Sequence, residues 1–186
     1  MRFLNIFKKR RSIVISTLVL IATIVIFSSS ITFQADEHHP LTVWASVEND
    51  VEVRIAITQI SSGRFRLSAI FTPTLPGFYL YSKDLPRDGL RGLGRPTLVE
   101  IIKSDTIKVT GVLEADQPEE YIYMNALGMS FPVYPAGPVT LTIPFDLIGN
   151  DFSLSITYMA CSDKTCLPPV IDKHIFIQIP DKFFDE

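Results

Sequence analysis

Along most of the chain, apolar and polar residues alternate in short runs. Val51–Thr58 sets Val51, Val53, Ile55 and Ile57 on one side and Glu52, Arg54 and Thr58 on the other. A period of two is the signature of a half-buried β-strand. Phe65–Phe71 repeats it, and Ser61, Ser62 and Gly63 between the two runs form a turn signal. The same reasoning predicts strands over Phe78–Tyr81, Thr97–Ile102, Ile107–Leu113, Val139–Pro144, Phe152–Tyr158 and Lys173–Ile179. No amphipathic helical window of useful length interrupts them. About eight strands at this spacing predict an all-β sandwich. Two stretches, Ser82–Pro96 and Asn125–Pro138, read as long loops because Gly and Pro crowd them.

The first 33 residues follow a different pattern. Lys8, Lys9, Arg10 and Arg11 form a basic cluster, and an apolar run from Ile13 to Phe27 continues more weakly through three serines to Phe33. As a helix, residues 13–33 would span roughly 31 Å, close to the hydrocarbon thickness of a bilayer. The positive-inside rule keeps the basic cluster in the cytoplasm and sends everything after Phe33 outside. Residues 1–33 therefore read as a signal anchor, or as a signal peptide with Ser28 and Ser30 as the small residues before cleavage. No cysteine lies near this segment, so a lipid-modified cysteine is not the anchor. Residues 34–50 read as a tether with a polar start at Gln34–Pro40, 51–180 as the sandwich domain and 181–186 as a tail.

Composition agrees with one exported domain. The 186 residues include thirteen Phe and six Tyr for a core and thirteen Pro, which disfavour long helices. Five of the 17 Lys and Arg lie in the first 33 residues, leaving 12 against 20 Asp and Glu and a net charge of −8 on the rest. Nucleic acid and anionic lipid both require a positive footprint, so neither is the expected partner of the domain.

The chemistry then rests on two cysteines, Cys161 and Cys166. Cys161 closely follows a strand, four small or polar residues make a turn, and Cys166 lies on the return. A tight hairpin brings such a pair within disulfide reach, and an oxidising compartment would join them for at least part of their life. Three readings of the pair stand. A structural staple over so short a loop contributes about 2 kcal/mol by loop-entropy arithmetic. A metal site lacks soft ligands, since His38 and His39 lie in the tether and His174 sits singly in a strand. A redox pair here has no helix N-terminus or other obvious group to stabilise a thiolate. It would act as a carrier, attacked by one partner and passing its thiols to the next. Met159 and Leu167 flank the pair and would limit access, and Asp163 reads as a turn former.

The residues around the pair resemble a known family. Cys161 to Pro169, preceded by Ile156–Tyr158, is similar to the active-site strand of the N-terminal periplasmic domain of the disulfide reductase DsbD. Gly77–Asp84 is similar to that domain's tyrosine-rich strand, and Gly94–Glu100 to a recurrent segment of its relatives. The likeness runs from about Val51 to Pro180. It implies an immunoglobulin-like sandwich that shuttles reducing equivalents from a membrane-embedded electron carrier to envelope thiol proteins, with no cofactor of its own. The activity class implied is thiol:disulfide interchange. Tyr79 and Tyr81 would line the active site beside Asp163, and a cap loop in Asn125–Tyr134 would shield the cysteines through Phe131 or Met129. By position, Cys166 would form the mixed disulfides and Cys161 would resolve them. The cysteines here are separated by four residues, one fewer than in the family's best-known member, and the cap segment carries no acid. The family's multi-span carrier and thioredoxin-like domain are absent from the chain, so a donor would act in trans. The alternative is a non-redox binding module in which Cys161–Cys166 is a structural disulfide.

The N-terminal pattern sets a topology test. A reporter that works only after export, fused behind Glu186, should be active, and a cytoplasmic reporter at the same place should be silent. Carbonate washing of membranes should leave an anchored chain in the pellet and release a cleaved one.

Overall fold

The alternating runs become strands because each has one apolar face that must leave water. The computed structural model describes residues 39–102, 105–125 and 127–183. The segment assigned to membrane insertion or cleavage, residues 1–33, lies outside the described residues, as does residue 34–38 of the tether. Thirteen strands follow in order: β1 Leu41–Glu48, β2 Val51–Ser61, β3 Arg64–Pro73, β4 Tyr79–Leu80, β5 Leu98–Ile101, β6 Ile107–Val109, β7 Glu114–Ala115, β8 Glu120–Met124, β9 Met129–Val133, β10 Val139–Leu147, β11 Asp151–Tyr158, β12 Ala160–Cys161 and β13 Val170–Gln178. Among the described residues one 3-10 turn, Asp181–Phe183, falls in the expected tail.

The strands make two facing sheets, an all-β immunoglobulin-like sandwich. One sheet runs β1-β2-β3-β10-β6, with β7 also on β10, and the other runs β13-β11-β5. All of these pairings are antiparallel. The register lines up the inward faces: Val53 opposite Phe71, Ile57 opposite Leu67, Leu141 opposite Ala69 and Leu154 opposite Ile175. Those residues are fully buried or nearly so and form the main core. Each large apolar side chain removed from water in this way contributes roughly 1.5–3 kcal/mol. Phe71 meets Tyr158 edge-on at 5.6 Å, and Phe145 packs on Phe65 and Phe152 at 5.6 and 5.4 Å.

Several boundaries differ from the sequence reading. The tether was expected to reach residue 50, yet Leu41–Glu48 forms β1 on the sheet edge. Asn49 and Asp50, both at positive φ, turn it into β2. A two-residue turn of this hand matches strand twist and favours Asn and Asp. The expected strand Ile107–Leu113 shortens to Ile107–Val109. The expected loop Asn125–Pro138 holds β9, which returns antiparallel on β8 as a separate two-stranded hairpin. The Ser62–Gly63 turn stands as expected, with Gly63 at φ 74°.

Two features carry the sandwich into the site. β11 ends at Tyr158 in the main core, and two residues later the chain pairs again as β12, against β4. Ser82–Pro96 lacks regular strand pairing but is tied down by Arg87, which bridges to Glu100 of β5 and to Asp172 of β13. These groups are half exposed, so the ion pairs fix direction more than they add stability.

The core makes a clear prediction. Phe71→Ala should lower unfolding free energy by about 3–5 kcal/mol in urea denaturation. Phe176→Ala, on a strand of the same sandwich but 64% exposed, should change it by less than about 0.5 kcal/mol.

Candidate functional site

The cysteines lie where β12 turns back on itself. Cys161 and Cys166 face each other as an antiparallel bridge and are joined by a disulfide. The flanking backbone bonds run from Leu167 N–H to the Ala160 carbonyl at 2.9 Å and from Ser162 N–H to the Thr165 carbonyl at 2.8 Å. That pattern makes Cys161 and Cys166 a non-hydrogen-bonded pair, the geometry in which opposed Cα atoms come closest. Their Cα atoms are 4.0 Å apart. The Ser162 hydroxyl accepts from the N–H groups of Lys164 and Thr165 at 3.3 and 3.2 Å and closes the turn. Asp163 is exposed in this turn, as its turn-forming reading anticipates.

The two sulfurs have opposite environments. Cys161 is fully buried, whereas Cys166 is exposed. Cys161 belongs to a second apolar cluster, separate from the main core, with Tyr79, Tyr81, Leu85, Phe131 and Val133. Pairing explains the gathering. Cys161 sits opposite Tyr79 in the β12–β4 ladder, and Tyr81 sits opposite Val133 of β9. The Tyr81 carbonyl accepts from Thr97 twice, from its N–H at 3.2 Å and its hydroxyl at 2.7 Å. Gly94 lets the long loop pass close by, because a Cβ there would lie 3.1 Å from the Tyr81 ring and its φ is +77°. Tyr81 stacks obliquely on Phe131 at 5.7 Å and edge-on to Tyr79 at 6.2 Å.

The tyrosine hydroxyls point into the chemistry. Tyr81 Oη lies 3.5 Å from Cys161 Sγ. A disulfide sulfur has no hydrogen, so the phenol donates and the sulfur accepts. Burial, then the neighbouring Tyr79, pushes Tyr81 up to about 12. Burial, then the negative charge of Asp163, raises Tyr79 as well. Both phenols therefore keep their protons through the range in which thiols titrate. Tyr79 Oη also donates to the Ser162 carbonyl at 3.5 Å, against the cysteine turn.

The structure thus brings Cys161, Cys166, Tyr79, Tyr81 and Phe131 together, with Met129 partly buried against the same cluster. Phe131 and Met129 accompany Cys161 and leave Cys166 open. The sequence reading did not find the donor hydroxyl of Tyr81 beside Cys161 Sγ. It also missed Leu85 and Val133 in the cluster, and Ile122, Tyr123 and Met124 of β8. These three line a groove of about 610 Å³ together with Tyr79, Lys164 and Cys166. The alternation Glu120–Met124 ahead of Gly128 was the available signal.

The unequal burial predicts unequal reactivity. In the reduced, folded chain, iodoacetamide should alkylate Cys166 at least about tenfold faster than Cys161, and the two should react alike in denaturant. Peptide mapping after a timed quench reads the ratio.

No family model matches the chain, and no curated protein matches it. Solved structures do. The N-terminal periplasmic domain of ScsB from Proteus mirabilis aligns with 79% of this chain and 57% of its own, with a TM-score of 0.52 at 12% identity. This chain thus spans little more than half the length of that structure. The Neisseria meningitidis DsbD N-terminal domain in the reduced form aligns with 68% of this chain and 90% of its own, with a TM-score of 0.41 at 16% identity. The GAE domain of GGA2p from Saccharomyces cerevisiae aligns with 77% and 98%, with a TM-score of 0.40 at 11% identity. In fold, therefore, this chain resembles the N-terminal periplasmic domain of ScsB, and beside that likeness stands the resemblance of its cysteine and tyrosine segments to the DsbD N-terminal domain.

Proposed function

We propose that the domain is a periplasmic thiol–disulfide exchange module. In this reading it relays reducing equivalents through Cys161 and Cys166, between a membrane-embedded carrier acting in trans and thiol proteins of the envelope. Residues 13–33 would hold it at the cytoplasmic membrane. The observation that carries the reading is the disulfide's asymmetry: an exposed cysteine bonded to a fully buried one whose sulfur already accepts a phenol hydrogen. A staple gains nothing from that arrangement, and two backbone hydrogen bonds already close the same hairpin. The resemblance to the periplasmic ScsB and DsbD domains supports the compartment and the partner class.

The geometry supplies the order of events. An incoming thiolate approaches the exposed residue Cys166 and attacks its Sγ in line with the disulfide. The Cys161–Cys166 bond breaks, its electron pair leaves on Cys161 Sγ, and a mixed disulfide forms on Cys166. The departing thiolate develops charge in an apolar cluster, where an uncompensated charge is costly. The Tyr81 hydroxyl is aimed at that atom and donates to it. A second thiol of the partner then releases Cys166, and the domain holds two reducing equivalents. Passing them on runs the steps in reverse, with Cys166 attacking the acceptor's disulfide and Cys161 resolving the mixed one. Tyr79, Phe131, Met129 and Asp163 position the pair: three pack or bond around Cys161 and its turn, and Asp163 shapes the turn.

Three measurements test this. Cys161→Ser should accumulate a covalent, reductant-sensitive complex in the cell envelope, and Cys166→Ser should not. If neither variant traps a partner and both merely lose thermal stability, the pair is a staple. The disulfide's reduction potential should lie well above about −300 mV, the region of structural disulfides. Tyr81→Phe keeps the ring and removes the donor. It should slow opening of the disulfide by dithiothreitol on the order of fivefold, the worth of one hydrogen bond of about 1 kcal/mol.

A further inference from the structure

The β8–β9 hairpin has an edge that the fold does not use. Residues of β9 alternate in where their backbone groups point. The Pro132 carbonyl accepts from Ser82 N–H at 3.0 Å, and Tyr134 N–H donates to the Leu80 carbonyl at 2.8 Å, so these positions face β4. Pro132, which has no N–H, lies opposite Tyr121. Tyr121 and Pro132 are therefore a pair without mutual hydrogen bonds, and by the same parity so are Tyr123 and Ser130. The N–H and C=O groups of Tyr121 and Tyr123 point outward. Among the described residues no strand lies on that side of β8.

Native proteins usually blunt such an edge with Lys, Pro or a bulge. Glu120–Met124 carries one charge, Glu120, but no Lys, Pro or bulge, and its two tyrosines are 67% and 59% exposed. Its other face is occupied, since Ile122 and Met124 pack against the Cys161 cluster. The edge also opens onto chemistry. Tyr123 and the exposed Cys166 line the same groove, across which the turn Ser162–Thr165 faces β8.

We propose that this edge receives the reacting segment of the partner. An extended, cysteine-bearing stretch of a thiol protein adds to β8 as a further strand, pairs with the main chain at Tyr121 and Tyr123, and brings its sulfur to Cys166. The inference rests on the exchange reading above and says how a protein thiol is preferred over a small one. Backbone pairing gives affinity without demanding a particular sequence, which suits a module that serves more than one partner. The exchange itself stays balanced. The partner's thiolate forms a bond to Cys166 Sγ, the bond to Cys161 breaks, and Cys161 leaves with the electron pair as the thiolate that faces the Tyr81 hydroxyl.

The test compares two thiols on the oxidised full-length chain. One is glutathione. The other is a nine-residue peptide with a single central cysteine flanked by Val and Thr. At equal thiolate concentration, the peptide should open the disulfide at least about tenfold faster, because pairing holds its sulfur at the site. Tyr123→Pro removes one outward N–H and leaves the inward pairing intact, and it should bring the ratio close to one. Tyr123→Ala, which keeps the backbone edge, should retain most of the preference. A peptide N-methylated at alternate residues should lose its advantage on the unaltered chain, which separates the edge from any folding defect of the Pro variant. Equal rates for the two thiols, or a preference that survives N-methylation, would overturn the docking edge while leaving the exchange reading in place. If neither thiol opens the disulfide, the exchange reading falls and the docking edge with it. Sedimentation adds one more outcome: a dimer that Tyr123→Pro dissolves would assign the edge to a second copy and refute the partner.

Discussion

Everything at the site depends on how β11 leaves the main core. Its inward residues Phe152, Leu154, Ile156 and Tyr158 are locked between the two sheets, and the Tyr158 hydroxyl donates to the Glu48 carbonyl at 3.1 Å. The strand cannot slip by one residue without turning that whole set outward. Cys161 lies three residues beyond Tyr158, where β12 pairs with β4, and it is buried against Tyr79, Tyr81 and Phe131. The narrow pairing with Cys166 then places the second cysteine at the surface.

A division of labour follows. The main core supplies stability, and the smaller cluster around Cys161 supplies environment. The smaller cluster is assembled from elements remote in sequence: β4, β9 and β12, with Leu85 from the long loop. Its backbone is stitched by specific bonds rather than by long ladders. Thr97 holds the Tyr81 carbonyl, Ser82 Oγ donates to Glu119 at 2.9 Å, and Lys83 N–H donates to the Tyr134 hydroxyl at 3.0 Å. Asn49, in the β1–β2 turn, donates to the Pro168 carbonyl at 3.0 Å just past Cys166. A region of short ladders opens at lower free energy than a sandwich core. That would suit the proposed exchange, in which a partner docks without unfolding the rest.

The chemical consequence is directional. A disulfide with both sulfurs buried would be inert, and one with both exposed would be opened from either end. With one cysteine of each kind, the proposed exchange would direct attack to Cys166 and charge to Cys161. In that exchange the buried phenol would be useful because it is neutral: a cation there would itself need compensation, whereas a protonated tyrosine donates without a buried charge. The raised values of Tyr79 and Tyr81 arise from the same burial that would make a Cys161 thiolate need help.

The sequence by itself determined the sandwich, because a period of two in Val51–Thr58, Phe65–Phe71, Val139–Pro144 and Phe152–Tyr158 leaves no other way to bury one face. It also determined the cysteine hairpin, since Cys161 and Cys166 flank a turn short enough to be settled locally. Leu41–Glu48 was harder to read because an edge strand is only half buried and its alternation is weak. Met129–Val133 was hidden by Pro132, which is tolerated in that strand because its missing N–H faces away from β8. Only the tertiary structure decided which sulfur is buried, that the Tyr81 hydroxyl meets it, and that β8 keeps an open edge beside Cys166. Each of these depends on segments 30 to 80 residues apart meeting through backbone pairing, and such contacts leave no periodic trace in either segment alone.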